Sequence, residues 1–169
     1  PSRSRTIAPK LTELPASFAF ELEAYLHGLA HPDPLADEGP TAPLRPATIK
    51  SRRFQIMRFA GILSRTGVPF EDMVSLAVLV APANAERGLR WMLARCDNQT
   101  NTDIQGMASL LLTLATCFVR PGDAEIKALS KLAAKLATRR QEGMSAKNRD
   151  RLRALTDAKA LQKLLLLPE

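Results

Sequence analysis

The sequence predicts an all-α fold: a compact bundle of four to five main helices, with an N-terminal arm and a C-terminal basic connector. It contains 26 Leu and 25 Ala but only 11 Val plus Ile, which favours helices over strands. Apolar residues recur at helical spacing in several segments. Eight of the twelve prolines fall within residues 1–46, and the others lie at predicted helix boundaries. The length fits one domain with tails, which we divide into an arm (1–14), a helical domain (15–143) and a connector (144–169).

The first two predicted helices are separated by a proline-rich loop. The first covers 15–29, where Pro15 suits a first turn. Its apolar stripe consists of Phe18, Leu22, Tyr25, Leu26 and Leu29. Residues 31–46 contain five prolines and predict an exposed loop. The second helix covers 46–66 and ends at Gly67.

The remaining helices follow at short intervals. We predict a short helical turn within 70–80 and helices over 82–95 and 101–118. The next helix covers 123–141, with Asp123 as its N-cap and an end near Gly143. Ser145 or Asp150 can begin a further short helix, and a last one covers 157–167.

Several classes of protein are excluded by composition. With 46% hydrophobic and 24% charged residues, the chain is not disordered throughout. No apolar run reaches the roughly 18 residues of a membrane span, and no secretory signal pattern begins the sequence. We therefore expect a cytoplasmic protein with no membrane partner.

The cysteines and histidines do not predict a metal or redox site. Cys96 and Cys117 lie in leucine-rich helical contexts and are expected to be reduced thiols in the core. His27 and His31 are four residues apart, a spacing that can bind metal on a helix. However, His31 precedes Pro32, where a helix should be ending. We expect no metal and no cofactor.

No catalytic pattern is present. The sequence has no Walker or GxGxxG glycine loop and no Ser-His-Asp context. Tyr25, Trp91 and the phenylalanines are predicted to be core residues. An aromatic content of 5% is too low for a surface on which single-stranded bases stack. Binding of duplex DNA by helices is therefore more consistent with the composition than binding of RNA.

The net charge of +7 is confined to two segments. Residues 45–66 carry six cations and no carboxylate, and residues 120–169 carry twelve cations and six carboxylates. Residues 1–44 have a net charge of −3 and residues 67–119 a net charge of −2. This distribution predicts an acidic partner.

The 46–66 helix has two interpretations: a solvated basic face, or a helix that contacts phosphates. A helical projection places Ile49, Ile56, Ala60 and Leu63 on one side, and Lys50, Phe54, Arg58 and Arg65 on the other. Arg52 and Arg53 flank the apolar stripe. The helix has no internal ion pairs.

Two other regions also have two interpretations. A row at four-residue steps, consisting of Lys127, Lys131, Lys135 and Arg139, is either an ordinary exposed row or a second basic face. The charged segment 147–153 is either a solvent-exposed hinge or a segment that lies along a DNA backbone. The polar segment 98–105 supplies N-cap residues, or side chains suited to reading base edges in the major groove.

With this organisation established, the chain resembles the N-terminal core-binding (SAM-like) domain of tyrosine recombinases, the phage integrase family. The resemblance covers about 14–167 and rests on the order and spacing of moderately specific motifs. The matching segments are 44–50, 54–60, 101–105 leading into 110–115, 147–155 and 164–168.

The resemblance implies half of a C-shaped clamp around duplex DNA, with two helices crossing the major groove. It carries over Thr48, Lys50, Ser51 and Arg58 on the 46–66 helix, and Asn101, Thr102 and Gln105 on the 101–118 helix. Together with the helix cations Arg45, Arg53 and Arg65, these are the predicted DNA-contacting residues.

The family's catalytic arginine, His-x-x-Arg motif and nucleophilic tyrosine belong to a following domain and are absent from this sequence. We therefore expect no recombinase activity from this chain, which would be monomeric alone and would join other protomers as part of a whole recombinase. The alternative is a helical protein-interaction module with a solvated basic face.

Overall fold

The computed structural model describes residues 7–36, 39–138, 148–150 and 152–153. Within these ranges every regular element is helical and no strand occurs, which confirms the predicted all-α fold. The chain divides into two compact units, Pro1–Thr138 and Arg139–Glu169. In the second unit, residues 148–150 and 152–153 are helical. The predicted boundary at 143/144, the residues 1–6 of the arm and the 157–167 helix lie outside the described residues.

The described part of the first unit contains six α-helices, most of which begin and end at local sequence signals. They are α1 (Ala16–Ala30), α2 (Pro46–Arg65), α3 (Ala77–Val80), α4 (Pro82–Ala94), α5 (Thr102–Leu114) and α6 (Asp123–Lys135). Short 3-10 helices cover Leu11–Glu13 and Phe70–Asp72, and a π-helical turn, Ala115–Val119, extends α5. Pro46 and Pro82 each occupy a first turn, where the missing N–H costs nothing.

One apolar core joins these helices. The predicted stripe of α1 is fully buried, and it packs on the apolar face of α2. Helices α4 and α5 pack on each other, and both contact α6. Side chains that are less than 2% exposed include Phe18, Leu22, Ile56, Phe59, Leu63, Leu79, Ile104 and Leu110.

Two local predictions about α6 are wrong. Its N-cap is Gly122 rather than Asp123, and the Gly122 N–H donates to Glu125 Oε2 over 3.1 Å. The helix ends at Lys135, before the predicted end at 141. The reason is tertiary, because Thr138 donates its hydroxyl to Gln105 Oε1 on α5 over 2.5 Å, and Leu136 is buried.

The burial of the aromatic and sulfur-containing residues is only partly as predicted. Tyr25 is in the core, edge to face with Phe118 at 5.5 Å between ring centroids, and burial raises the pKa of its hydroxyl. However, Phe20 is 77% exposed and Phe54 is 53% exposed, because both lie on the outer sides of their helices. Trp91 and both cysteines are half-buried, and the cysteines form no disulfide.

Among the described residues, one helical stretch is long and apolar enough to cross a membrane. It is Thr102–Val119, with a mean hydropathy of 1.4. The core helix of a water-soluble protein meets the same criterion. Here six residues of α5 are buried in the core, so this stretch is weak evidence for a membrane span.

Candidate nucleic-acid interface

The N-terminal half of α2 is positioned by its contact with α1. The N–H of Leu44 donates to the carbonyl of Leu29 over 3.0 Å, which brings the chain back across the end of α1. Arg45 then caps α2 with extended backbone and Pro46 begins the helix. Arg53, further along α2, pairs with Glu23, which lies earlier in α1 than Leu29. The two helices therefore run antiparallel.

A strip of exposed residues runs along this half of α2. At 100° per residue, Lys50, Ser51 and Phe54 fall within one 100° sector, and all three are exposed. Arg45 and Thr48 are exposed at the start of the same helix. The predicted outward face is therefore present here, and Phe54 lies within it rather than in the core.

On the α1 side of this strip, Arg53 is held by a carboxylate. Both of its terminal nitrogens donate to Glu23, one to each carboxylate oxygen, over 2.5 Å. This hydrogen bond lowers the pKa of Glu23 and raises that of Arg53. The pair is about half exposed, with side-chain exposures of 40% for Arg53 and 51% for Glu23.

On the α5 side, Arg58 forms an equivalent pair with Asp103. Its two terminal nitrogens donate to Asp103 Oδ1 and Oδ2 over 2.8 and 2.7 Å. Only 22% of the Arg58 side chain is exposed, so it does not point outward with Lys50 as predicted. The hydrogen bond lowers the pKa of Asp103 and raises that of Arg58. The neighbouring helices thus supply the carboxylates that α2 lacks.

The polar start of α5 is used mainly for structure. Asn101 is the N-cap, and its Oδ1 accepts the Ile104 N–H over 2.9 Å. Its Nδ2 donates to Cys96 Sγ over 3.3 Å. Gln105 is half-buried and accepts from Thr138. Of the three residues predicted here to contact DNA, Thr102 is the exposed one.

The remaining cations of α2 differ in position. No carboxylate in the described ranges pairs with Arg45, Lys50 or Arg52. Arg65 occupies the last position of α2, about 22 Å along the axis from Lys50. There it lines a cavity of 480 Å³ beside Ile7–Lys10 of the arm. The structure therefore groups the exposed Arg45, Thr48, Lys50 and Ser51 as one surface, which we call the α2 basic strip. Arg65 lies apart from this strip, and Arg52 is half-buried about 200° around the helix from Lys50.

Other candidate sites offer less. The His27 and His31 rings lie 4.6 Å apart between centroids. In the part of the chain that the structure describes, no group of three His, Cys, Asp or Glu side chains could hold a metal ion. A cleft beside Arg58 and Asp103 encloses about 160 Å³ and includes Arg95, which stacks over Trp91 at 4.9 Å. It is smaller than ordinary ligand pockets.

The carboxylates that pair with α2 are not apparent from the sequence. The sequence does not predict that Glu23 and Asp103 pair with arginines of α2, although six cations and no carboxylate in residues 45–66 imply that anions lie close to this segment. The composition of this segment indicates that it needs carboxylate partners. It does not identify them, because Glu23 and Asp103 are 30 and 45 residues away in sequence from the arginines that they bind. Comparisons with protein-family models, with curated proteins and with solved structures found no match for this chain.

Proposed function

We propose that this chain binds duplex DNA through the α2 basic strip and the adjoining start of α5. The observation that carries the proposal is the presence of two exposed cations, Arg45 and Lys50, for which the described residues supply no carboxylate partner. Positive side chains that keep their charge available to solvent are suited to phosphate contacts, which dominate the affinity of proteins for nucleic acids.

The location of these cations supports an anionic partner. Arg45 is the N-cap of α2 and no acidic residue lies in the first turn. The start of a helix carries partial positive charge, so cations there are unfavourable for the isolated helix. Thr48 and Ser51 add exposed hydroxyls that can donate to phosphate or base edges. The strip has the composition of an anion-binding surface rather than of a helix optimised for stability.

The finer assignment rests on the family resemblance. We propose that the chain is the core-binding domain of a tyrosine recombinase and acts in DNA integration or recombination, in an assembly with other protomers. Strand exchange would then belong to a separate catalytic domain. The coding sequence after Glu169 tests this part: an arginine, a His-x-x-Arg motif and a later tyrosine would support it, and their absence would overturn it.

A salt titration with labelled duplex DNA tests the binding function. We expect affinity to fall steeply between about 50 and 200 mM salt, with a log–log slope of about −0.9 per phosphate contacted. Replacing both Arg45 and Lys50 with Ala should reduce the magnitude of the slope by about 2. The matched control replaces Lys127 and Lys131, two exposed lysines of α6, and removes the same charge.

The outcomes separate the alternatives. An unchanged slope in the Lys127/Lys131 control with a reduced slope in the Arg45/Lys50 variant supports the α2 basic strip. Equal losses in both variants would indicate diffuse attraction and contradict the proposed site. Absence of wild-type binding at about 50 mM salt would overturn DNA binding itself.

A protein-interaction module is the second candidate function, and one observation favours it. Phe54 and Phe20 are 53% and 77% exposed, and aromatic residues are enriched in protein interfaces. Replacing Phe54 with Ala distinguishes the two. A DNA-binding strip that works through its charges should keep its salt slope, whereas a protein interface centred on Phe54 should lose its partner.

A further inference from the structure

Asp103 is a carboxylate at the edge of the proposed DNA-binding surface. It lies in the first turn of α5, next to the exposed Thr102, and its side chain is 48% exposed. Both of its oxygens accept from Arg58 on α2. The carboxylate therefore faces solvent on the side where a phosphate would approach the start of α5.

The geometry of this pair is also the geometry of a phosphate contact. A guanidinium donates two parallel N–H groups to a carboxylate or to a phosphate in the same fork arrangement. Arg58 has both terminal nitrogens engaged by Asp103, at 2.8 and 2.7 Å. A phosphate can accept these two N–H groups of Arg58 only if their hydrogen bonds to Asp103 are broken.

We infer that Asp103 competes with DNA phosphates for Arg58 and so limits the affinity of the surface for duplex DNA. This inference rests on the proposed function, because it concerns the regulation of the same site. Exchange of one anion for another is feasible here because the Asp103 side chain is 48% exposed and 22% of the Arg58 side chain is accessible, so solvent screens part of their attraction.

The size of the effect follows from counterion release. If Arg58 gains one phosphate when Asp103 loses its charge, the log–log salt slope becomes steeper by about 0.9. At about 0.1 M salt this corresponds to roughly eight-fold tighter binding, relative to a 1 M reference. The gain should be uniform across DNA sequences, because phosphate contacts carry no sequence information.

The test compares Asp103→Asn with Glu86→Gln. Asn retains the size of the side chain but not its charge, so Arg58 is no longer neutralised. Glu86 pairs with Arg90 on α4, beside the groove between α4 and α6, so Glu86→Gln makes the same change in net charge away from the surface in question. A third variant, Asp103→Asn with Arg58→Ala, removes the residue for which phosphate and carboxylate compete. Circular dichroism and melting temperature confirm folding of each variant.

We expect Asp103→Asn to bind labelled duplex five- to ten-fold more tightly at about 0.1 M salt with a steeper slope. Glu86→Gln should stay close to wild type, and the double variant should lose the gain. Wild-type binding with equal behaviour of Asp103→Asn and Glu86→Gln would overturn this inference and leave the proposed function intact. A gain that persists without Arg58 would also overturn it, since repulsion alone would then explain the effect. Failure of both wild type and Asp103→Asn to bind would overturn the proposed function, and this inference with it.

Discussion

Replacing Gly88 with Ala should destabilise the protein, although alanine is the better helix former. Gly88 lies in α4, where this helix crosses α2. A Cβ atom at this position would lie 2.5 Å from Cζ and 2.6 Å from Cε2 of Phe59, and 3.4 Å from Cδ2 of Leu63. Phe59 is completely buried, so its ring has no solvent-filled space into which it can move.

The magnitude follows from two opposing contributions. Alanine is favoured over glycine in a helix interior by about 1 kcal/mol. An extra methyl group in a packed core costs about 1–3 kcal/mol, and contacts as short as these belong at the upper end. The net loss is about 2 kcal/mol. For the unit Pro1–Thr138 this lowers the melting temperature by about 7 °C.

Gly106→Ala is the matched control. Gly106 lies within α5, and no heavy atom outside its local helix lies within 4 Å of a Cβ built there. The same substitution should therefore stabilise the protein by about 1 kcal/mol and raise the melting temperature by about 3 °C. Urea denaturation with linear extrapolation measures both free energies, and the two variants should change stability with opposite signs.

A double variant tests the cause. Combining Gly88→Ala with Phe59→Leu shortens the side chain that obstructs the new methyl group, so the combined loss should be smaller than the sum of the single losses. If Gly88→Ala proves as stable as wild type, or stabilises the protein as Gly106→Ala does, the close crossing of α2 and α4 is wrong.

Three further predictions concern the arm, the α5 cap and pH. In Gly61→Ala the new Cβ would overlap the carbonyl of Ile7, so the arm should detach from α2. Hydrogen exchange near Leu11–Glu13 should become faster, and unchanged exchange would contradict the contact between Ile7 and Gly61. Asn101→Ala should cost about 1 kcal/mol and Asn101→Asp should not, because Asp keeps the acceptor for the first turn; equal melting temperatures for the two variants would contradict the cap. Arg58 lowers the pKa of Asp103 in the folded protein, so the stabilisation from the pair is complete above the ordinary pKa of 3.8 and is lost as the pH falls through the lower pKa of the folded state. Urea denaturation midpoints measured at pH about 6 and about 3 should therefore fall less in Asp103→Asn than in wild type.

Sequence patterns sufficed for most of the helices because their boundaries depend on neighbouring residues. Pro46 and Pro82 begin helices, and α2 ends just before Gly67, whose φ of 99° suits a residue without a side chain. The end of α6 could not be predicted in this way. It depends on the hydrogen bond between Thr138 and Gln105, which are 33 residues apart.

The candidate site shows the same division between local and distant causes. Helical periodicity correctly placed Lys50 outside, since its exposure depends only on which side of α2 contacts the core. It also placed Arg58 on the outer side, because Arg58 is only 80° around the helix from Lys50. A helical projection cannot show that α5 lies close to this side of α2 and that Arg58 pairs with Asp103 there. Asn101 was assigned both a capping and a DNA-contacting role, and the structure uses its side chain for the cap.

The charge of α2 is best understood from both of its flanks. The sequence offered a solvated basic face or a phosphate-contacting helix, yet Arg53 and Arg58 have a third arrangement, each paired with a carboxylate from a neighbouring helix. These pairs reduce repulsion in the middle of α2. They leave Arg45 and Lys50, near the start of α2, without a carboxylate partner among the described residues. At the N-cap position of Arg45 the helix dipole disfavours a cation. The charge that would attract an anionic partner is therefore carried by fewer residues than the six cations of the sequence suggest, and these residues lie close to the start of the helix.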